Sequence, residues 1–235
     1  MRTIKLLIFG AFLSTFLSSC FKEREGDIVT ENRSFTGNFE KIRVEGSMNI
    51  KVVDDPTYDM KVNGGMNILP YLVTEIRNNE LHIYLKNNHV RNRHEIKIWV
   101  NANQIKNALL NGSGNLEIYK TIVSDLELKM NGSGRIWANV DVTNLNSNMD
   151  GSGSIEVDGS IVNHNCIMNG SGHISSENVE AISVNANVNG SGNIKCYTNT
   201  SLDAYVNGSG SISYRGNPSN LNTKIIGSGS IRKIN

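Results

Sequence analysis

The chain is poor in the residues from which many functional sites are built. Its 235 residues include only three cysteines and three prolines, and 6% are aromatic. The formal net charge is +1, which gives no electrostatic case for a nucleic-acid partner. There is no CxxC, HExxH or cysteine–histidine cluster, so neither a metal nor another cofactor is expected. No apolar run approaches the roughly 20 residues that cross a bilayer as a helix. Scarce proline fits strands hydrogen-bonded on both sides.

What is abundant is a repeat. The motif NGSG and its close variants place a first glycine at 112, 132, 151, 170, 190, 208 and 227, at intervals of 20, 19, 19, 20, 18 and 19. The residue before the motif is Leu110, Met130, Met149, Met168, Val188, Val206 or Ile225. Two residues after it stands Leu116, Ile136, Ile155, Ile174, Ile194, Ile212 or Ile231. Between these columns the chain alternates, as in Leu126-Glu127-Leu128-Lys129-Met130, which is the period of a strand with one buried face. A strand of four to six residues cannot bury that face alone. Identical units can do so by stacking, each coil about 4.8 Å above the last. The pattern therefore predicts an all-β fold, a parallel β-helix (solenoid) of about 9–10 coils. An antiparallel meander would need turns every 8–12 residues, and no second turn of similar regularity is present. Glycine costs a strand roughly 0.5–1 kcal/mol against alanine, so two glycine columns imply a corner with positive φ or no room for a Cβ. The column Asn111, Asn131, Asp150, Asn169, Asn189, Asn207, Ile226 predicts an amide ladder beside that corner.

The first third follows the same rule in worn form. Glu45-Gly-Ser-Met-Asn-Ile50 and Asn63-Gly-Gly-Met-Asn-Ile68 both align with NGSGNI, and Lys86 to His94 reads as an insertion. Residues 35–110 are expected to form irregular N-terminal coils and a cap, and 111–235 the regular stack, together one continuous domain. Residues 1–19 read as a signal peptide, with basic Arg2 and Lys5 before the apolar run Leu6 to Phe16. The run ends in Leu17-Ser18-Ser19-Cys20, which resembles a bacterial lipobox. That resemblance implies cleavage before Cys20, lipidation of Cys20 and a membrane as partner through the lipid anchor. Residues 20–34 would then be lipidated cysteine and tether. Phe21 in place of Asp favours the outer membrane, on its periplasmic or its surface side. The alternative is a plain secretory signal with an incidental cysteine.

Phe39-x-x-Ile42-x-Val44-x-Gly46, Asn67-x-x-Pro70-Tyr71-Leu72 and Leu81-His82-Ile83, followed by serial GSG coils, resemble the putative auto-transporter adhesin, head GIN domain family over about residues 35–233. The resemblance implies a pectin-lyase-like, right-handed parallel β-helix in bacterial secreted proteins or lipoproteins, a hand that agrees with the general preference of parallel crossovers. It also implies adhesion without recognised catalytic residues, so the expected function is a non-enzymatic envelope adhesin or scaffold.

A carbohydrate-binding or carbohydrate-cleaving β-helix is the alternative, and its best candidate patch is Glu156, Asp158 and Glu177. Stacking predicts Asp158 and Glu177 roughly 5 Å apart in one column, a spacing suited to glycoside hydrolysis or a divalent cation. The bland reading is a solvated acidic patch with no lysine or arginine stack beside it. Trp137 and Tyr197 are outward candidates for sugar stacking. Outward Asn146, Asn165, Asn185 and Asn222 suit contact with a glycan or surface protein, or merely solubility. His164 lies in an apolar column and reads as a buried, hydrogen-bonded residue; His89 and His94 lie in the insertion. Cys166 and Cys196 read as buried free thiols. The end coils present unpaired strand edges, which invites a cap or a homo-oligomer.

Overall fold

The computed structural model describes residues 26–86 and 94–235. Cys20, His89 and most of the Lys86–His94 insertion lie outside the described residues. The strands are β1 (Ile28–Arg33), β2 (Lys41–Gly46), β3 (Asn49–Val53), β4 (Met60–Gly65), β5 (Leu72–Arg77), β6 (Glu80–Leu85), β7 (Lys97–Asn101) and β8 (Asn107–Gly112). The regular part continues with β9 (Asn115–Gly132), β10 (Arg135–Gly151), β11 (Ser154–Gly170), β12 (His173–Gly190), β13 (Asn193–Gly208), β14 (Ser211–Arg215), β15 (Asn220–Gly227) and β16 (Ser230–Lys233). One 3-10 turn, Leu69–Tyr71, interrupts them. All sixteen strands join one curled sheet that forms a β-solenoid of about 7 turns.

Each GSG is a corner. An outgoing arm leaves it, bends, and returns as an incoming arm to the next corner. Successive coils are parallel and in register, as in Ile136↔Ile155, Met149↔Met168 and Gly151↔Gly170. The inward columns are buried from Ile42 to Ile212 and form one continuous apolar core. At the corner the Ser133 and Gly134 N–H groups both donate to the Gly112 carbonyl, at 3.0 and 3.1 Å, and the pairing recurs coil after coil.

The two glycine columns answer different demands. The first needs positive φ, as at Gly151 (φ 139°), and a Cβ there would lie 2.2 Å from the Gly132 carbonyl oxygen. The second keeps ordinary φ but has no space: a Cβ on Gly153 would meet the Gly134 oxygen at 2.3 Å and Met130 Sδ at 2.4 Å. The methionine before one corner thus occupies the volume freed by the second glycine of the next. The amide ladder is also present, with Asn131 donating to Asn111 (2.8 Å), Asn169 to Asp150 (2.8 Å) and Asn189 to Asn169 (3.0 Å).

The strands of the regular coils are longer than the sequence implies: 16 to 18 residues, not four to six. The second bend of each coil occurs inside the strand and needs no fixed turn residues. Register shifts fall there, between Ala138 and Val140, between Glu156 and Asn163, and between Ser175 and Glu180. The corners stay aligned while coil length varies.

The first third corrects the expected 9–10 coils. Gly46 is a true corner (φ 113°) and Gly112 stacks directly on it, with Ile50 over Leu116. The second worn copy is not a coil, because β4, which carries Gly64, runs antiparallel to β1 and β7. The β5–β6 hairpin turns at Asn78 and Asn79, both at positive φ (50° and 63°), which suits a primed hairpin turn. Residues 47–111 are therefore one long circuit, and its antiparallel strands close the end of the stack. The tether expected over residues 20–34 gives way to strand β1, whose Arg33 donates to the Leu72 and Leu69 carbonyls at 2.7 and 3.1 Å.

Gly46→Ala meets only Met48 Cε at 4.0 Å, so it tests backbone strain alone and should cost about 1–3 kcal/mol. Gly151→Ala adds a collision with backbone and should cost more than about 4 kcal/mol. Urea unfolding of the two variants measures the difference.

Candidate functional site

With the interior of the coils filled by packed side chains, chemistry is confined to the outside, and its two faces differ. The incoming arms carry mainly amides, beside one column that includes Lys129, Tyr205 and Lys224. Asn165 donates to Asn146 (3.2 Å) and Asn222 to Asp203 (3.2 Å), and Asn185 belongs to the same column. The outgoing arms carry aromatic and charged groups. One of their columns reads Trp99, Lys51, Glu117, Trp137, Glu156, Ser175, Lys195, Ser213 and Arg232.

The outgoing face gathers the patch expected from sequence. Glu156, Asp158, His173, Ser175, Glu177 and Asn178 line a hollow of about 200 Å³. Asp158 and Glu177 share it, but they are not the expected ladder pair: pairing between β11 and β12 breaks after Glu156–Ser175 and resumes at Asn163–Ser183. The expectation that no basic group stands beside the patch is also corrected. Arg135 pairs with Glu156, and Lys195 Nζ lies 3.1 Å from Glu177 Oε1. Coil stacking brings them there, since Arg135 and Lys195 sit on coils flanking the carboxylates. Trp137 Nε1 donates to Asp158 Oδ2 at 3.0 Å, which fixes the indole at the rim. Burial lowers the pKa of His173, with Lys195 adding to that effect and Glu156 and Glu177 opposing it.

Each carboxylate of the patch thus has a cation or an N–H group as partner. The hollow is smaller than the roughly 300–1,000 Å³ of pockets that enclose a ligand. Among the described residues no group of three or more His, Cys, Asp and Glu is placed to hold a metal ion. The arrangement suits surface contact with a polar ligand: an aromatic rim, paired charges and hydroxyls.

Tyr197, the other outward aromatic expected from sequence, lies on the same face beneath the Arg215 guanidinium, 5.7 Å from its ring centre. Tyr119 was missed. Its ring meets Trp137 edge to face at 5.4 Å, and its hydroxyl bonds to Glu117 (2.8 Å) and Lys51 (3.0 Å). Extending the alignment of Met48-Asn-Ile50 by one residue puts Lys51 in the Trp137 column. A second hollow, of about 510 Å³, opens beside Phe35, Phe39, Glu40, Asp59, Asn101 and Gln104. No repeat register points to it, because its walls belong to the irregular circuit.

His164 is buried as expected. Its Nε2 meets Ser147 Oγ (2.9 Å) and Cys166 Sγ (3.2 Å), and its Nδ1 meets Ser176 Oγ (3.1 Å). Cys166 and Cys196 are free and buried, and burial pushes both thiols up, Cys196 to about 12. These groups are structural, since neither solvent nor substrate reaches them.

The family model described as "Putative auto-transporter adhesin, head GIN domain" matches residues 38–218. The chain belongs to this family. The match stops before β15, short of the expected residue 233. The fold is similar to that of a putative adhesin from Bacteroides fragilis (24% identity, TM-score 0.80, covering 88% of this chain and 97% of that one). It is also similar to a putative adhesin from Parabacteroides merdae (20%, TM-score 0.73, 89% and 97%). A putative lipid binding protein from Parabacteroides distasonis is 28% identical, with a TM-score of 0.70 and coverage of 89% and 98%. No curated protein matches the chain in sequence. Family membership points to the cell envelope or surface as the place of work, and the names of the family and of these structures are those of adhesins or a lipid binder.

Burial lowers the His164 pKa from 6.5 to about 4. The unfolded chain then binds the extra proton between those values, so stability falls as pH drops from 6.5 towards 4, by about 3 kcal/mol in total. His164→Gln should flatten that part of the melting-temperature profile relative to the parent protein.

Proposed function

We propose that the protein is a non-enzymatic, membrane-anchored adhesin of the bacterial envelope, whose outgoing face contacts glycans. The observation that carries the reading is the segregation of that face. Trp137 is bonded to Asp158 of the 200 Å³ hollow, Tyr119 packs against Trp137 and Tyr197 lies on the same face under Arg215, while the opposite face of the regular coils carries mainly amides. Aromatic rings offer apolar faces to sugar C–H groups, and fixed polar groups beside them bond hydroxyls. The paired state of Glu156, Asp158 and Glu177 supports binding over hydrolysis, which needs one carboxyl ready to give a proton.

The membrane part of the proposal rests on Leu17-Ser18-Ser19-Cys20 and on the family's envelope character. Multiple acyl chains on one cysteine would hold the protein stably where one chain would not. On this reading the outer membrane is the site of anchorage. A lipid-binding role, named for one relative, finds less support here: the larger hollow is lined by Glu40, Asp59, Asn101, Asn103 and Gln104 around Phe35 and Phe39, a polar lining unsuited to an acyl chain.

A glycan array probed with the chain from Phe21 onward tests the ligand class. Trp137→Ala and the triple alanine variant at Glu156, Asp158 and Glu177 should each lower the signal at least about tenfold; equal binding by parent and variants would remove the face from consideration. Palmitate labelling in cells tests the anchor, since Cys20→Ala should abolish incorporation.

A further inference from the structure

The last coil is built differently from those beneath it. Among the described residues no strand lies beyond β15 and β16, so each presents a free row of backbone N–H and C=O groups. Leu221 and Ile225 continue the columns of Leu202 and Val206, which are fully buried, yet they are themselves 49% and 45% exposed. The apolar core is thus open at this end. Ile226, 48% exposed, stands on Asn207 in the column where the regular coils below carry asparagine or aspartate. An isoleucine ends the amide ladder and enlarges the apolar end. The family match stops at residue 218, before this coil.

Charge does not protect the open end. Lys224 Nζ lies over the Tyr205 ring at 5.7 Å, Arg232 Nε donates to Ser213 Oγ at 3.4 Å, and Lys233 donates to Asn217. All three cations lean back onto the preceding coil. The opposite end is different: its edge strands β1 and β5 carry the ion pairs Glu31–Arg33 and Glu75–Arg77, a common guard on a sheet edge. Stacking head to tail would press those ion pairs against aliphatic side chains. Tail against tail, apolar meets apolar and no charge is stranded.

The chain's own N-terminal residues are poorly placed to cover this end. They enter at Gly26, next to β1, and β1 is ten strand-to-strand steps from β16, about 48 Å at 4.8 Å each. On the expected cleavage before Cys20 only residues 20–25 precede that point, with a reach of about 20 Å.

We propose that the terminal coil is a homophilic contact surface: two copies join end to end about a two-fold axis, β15 against β15, and their open cores become one. Such an isologous interface closes on itself and stops at two. One consequence rests on the anchored-adhesin reading: the surface lies at the end farthest from the membrane, so it would join molecules on facing membranes.

Sedimentation velocity across a concentration series tests this on the chain from Phe21 onward, which contains every described strand. A reversible dimer that persists in high salt is expected. Ile226→Asn, which restores the residue found at Asn207, should weaken it at least about tenfold, and Leu221→Lys with Ile225→Lys should abolish it. A monomer at every concentration would overturn the proposal, as would a dimer that neither variant touches. Open-ended polymers, the mark of head-to-tail stacking, would overturn the two-fold form. Circular dichroism confirms that each variant keeps its β-sheet; should the lysine pair not fold, Ile226→Asn decides alone. This result is independent of glycan binding, because the outgoing face is unchanged in both variants.

Discussion

The structure depends on backbone meeting backbone at the corner. From Gly46 to Gly190 each first-glycine carbonyl accepts two N–H groups from the corner above, and this contact leaves no space for a Cβ on either glycine of that upper corner. Register follows from it. Once Gly151 lies under Gly170, Met149 lies under Met168 and Ile155 under Ile174, and the core fills from like residues. The amide ladders add net stabilisation of about 0.5–1.5 kcal/mol per bond, and they also penalise slippage, since a one-residue shift would set amides against aliphatics.

The same rigidity divides labour between inside and outside. The inside is committed to packing, and even its polar members serve that end: His164 is held by Ser147 and Ser176, and the two thiols are deprived of the thiolate form by burial. Variation is left to the outward columns. There the arms of the regular coils have diverged, the incoming ones mainly into amides, the outgoing ones into most of the aromatic rings and the ion pairs. Because columns cross coils, residues 19 or so apart in sequence become neighbours, as Arg135 and Glu156 or Glu177 and Lys195 show.

The regular coils were legible because one corner type recurs with little error, and from Gly112 onward the columns flanking the corner are those its spacing predicts, whereas the Asp158–Glu177 column beyond it is not. Gly46 was legible for the same reason. Gly64 misled because glycine followed by Met-Asn-Ile copies the motif without its context: φ is not positive there, and the flanking strand runs the other way. The signal against it was Asn78-Asn79, a hairpin turn that no parallel coil requires. At the site, composition identified the carboxylates, Trp137 and Tyr197. It missed the cations, because Arg135 and Lys195 lie on other coils and reach Glu156 and Glu177 diagonally, two residues beyond their in-register partners Ser154 and Ser175.

That bend, opposite the glycine corner, is where coils of 18, 19 and 20 residues are reconciled. It acts as an expansion joint. Residues gained or lost there reshape one flank of the rod without disturbing the stack, so a lineage can redraw its outer contour by small indels while the scaffold is inherited intact.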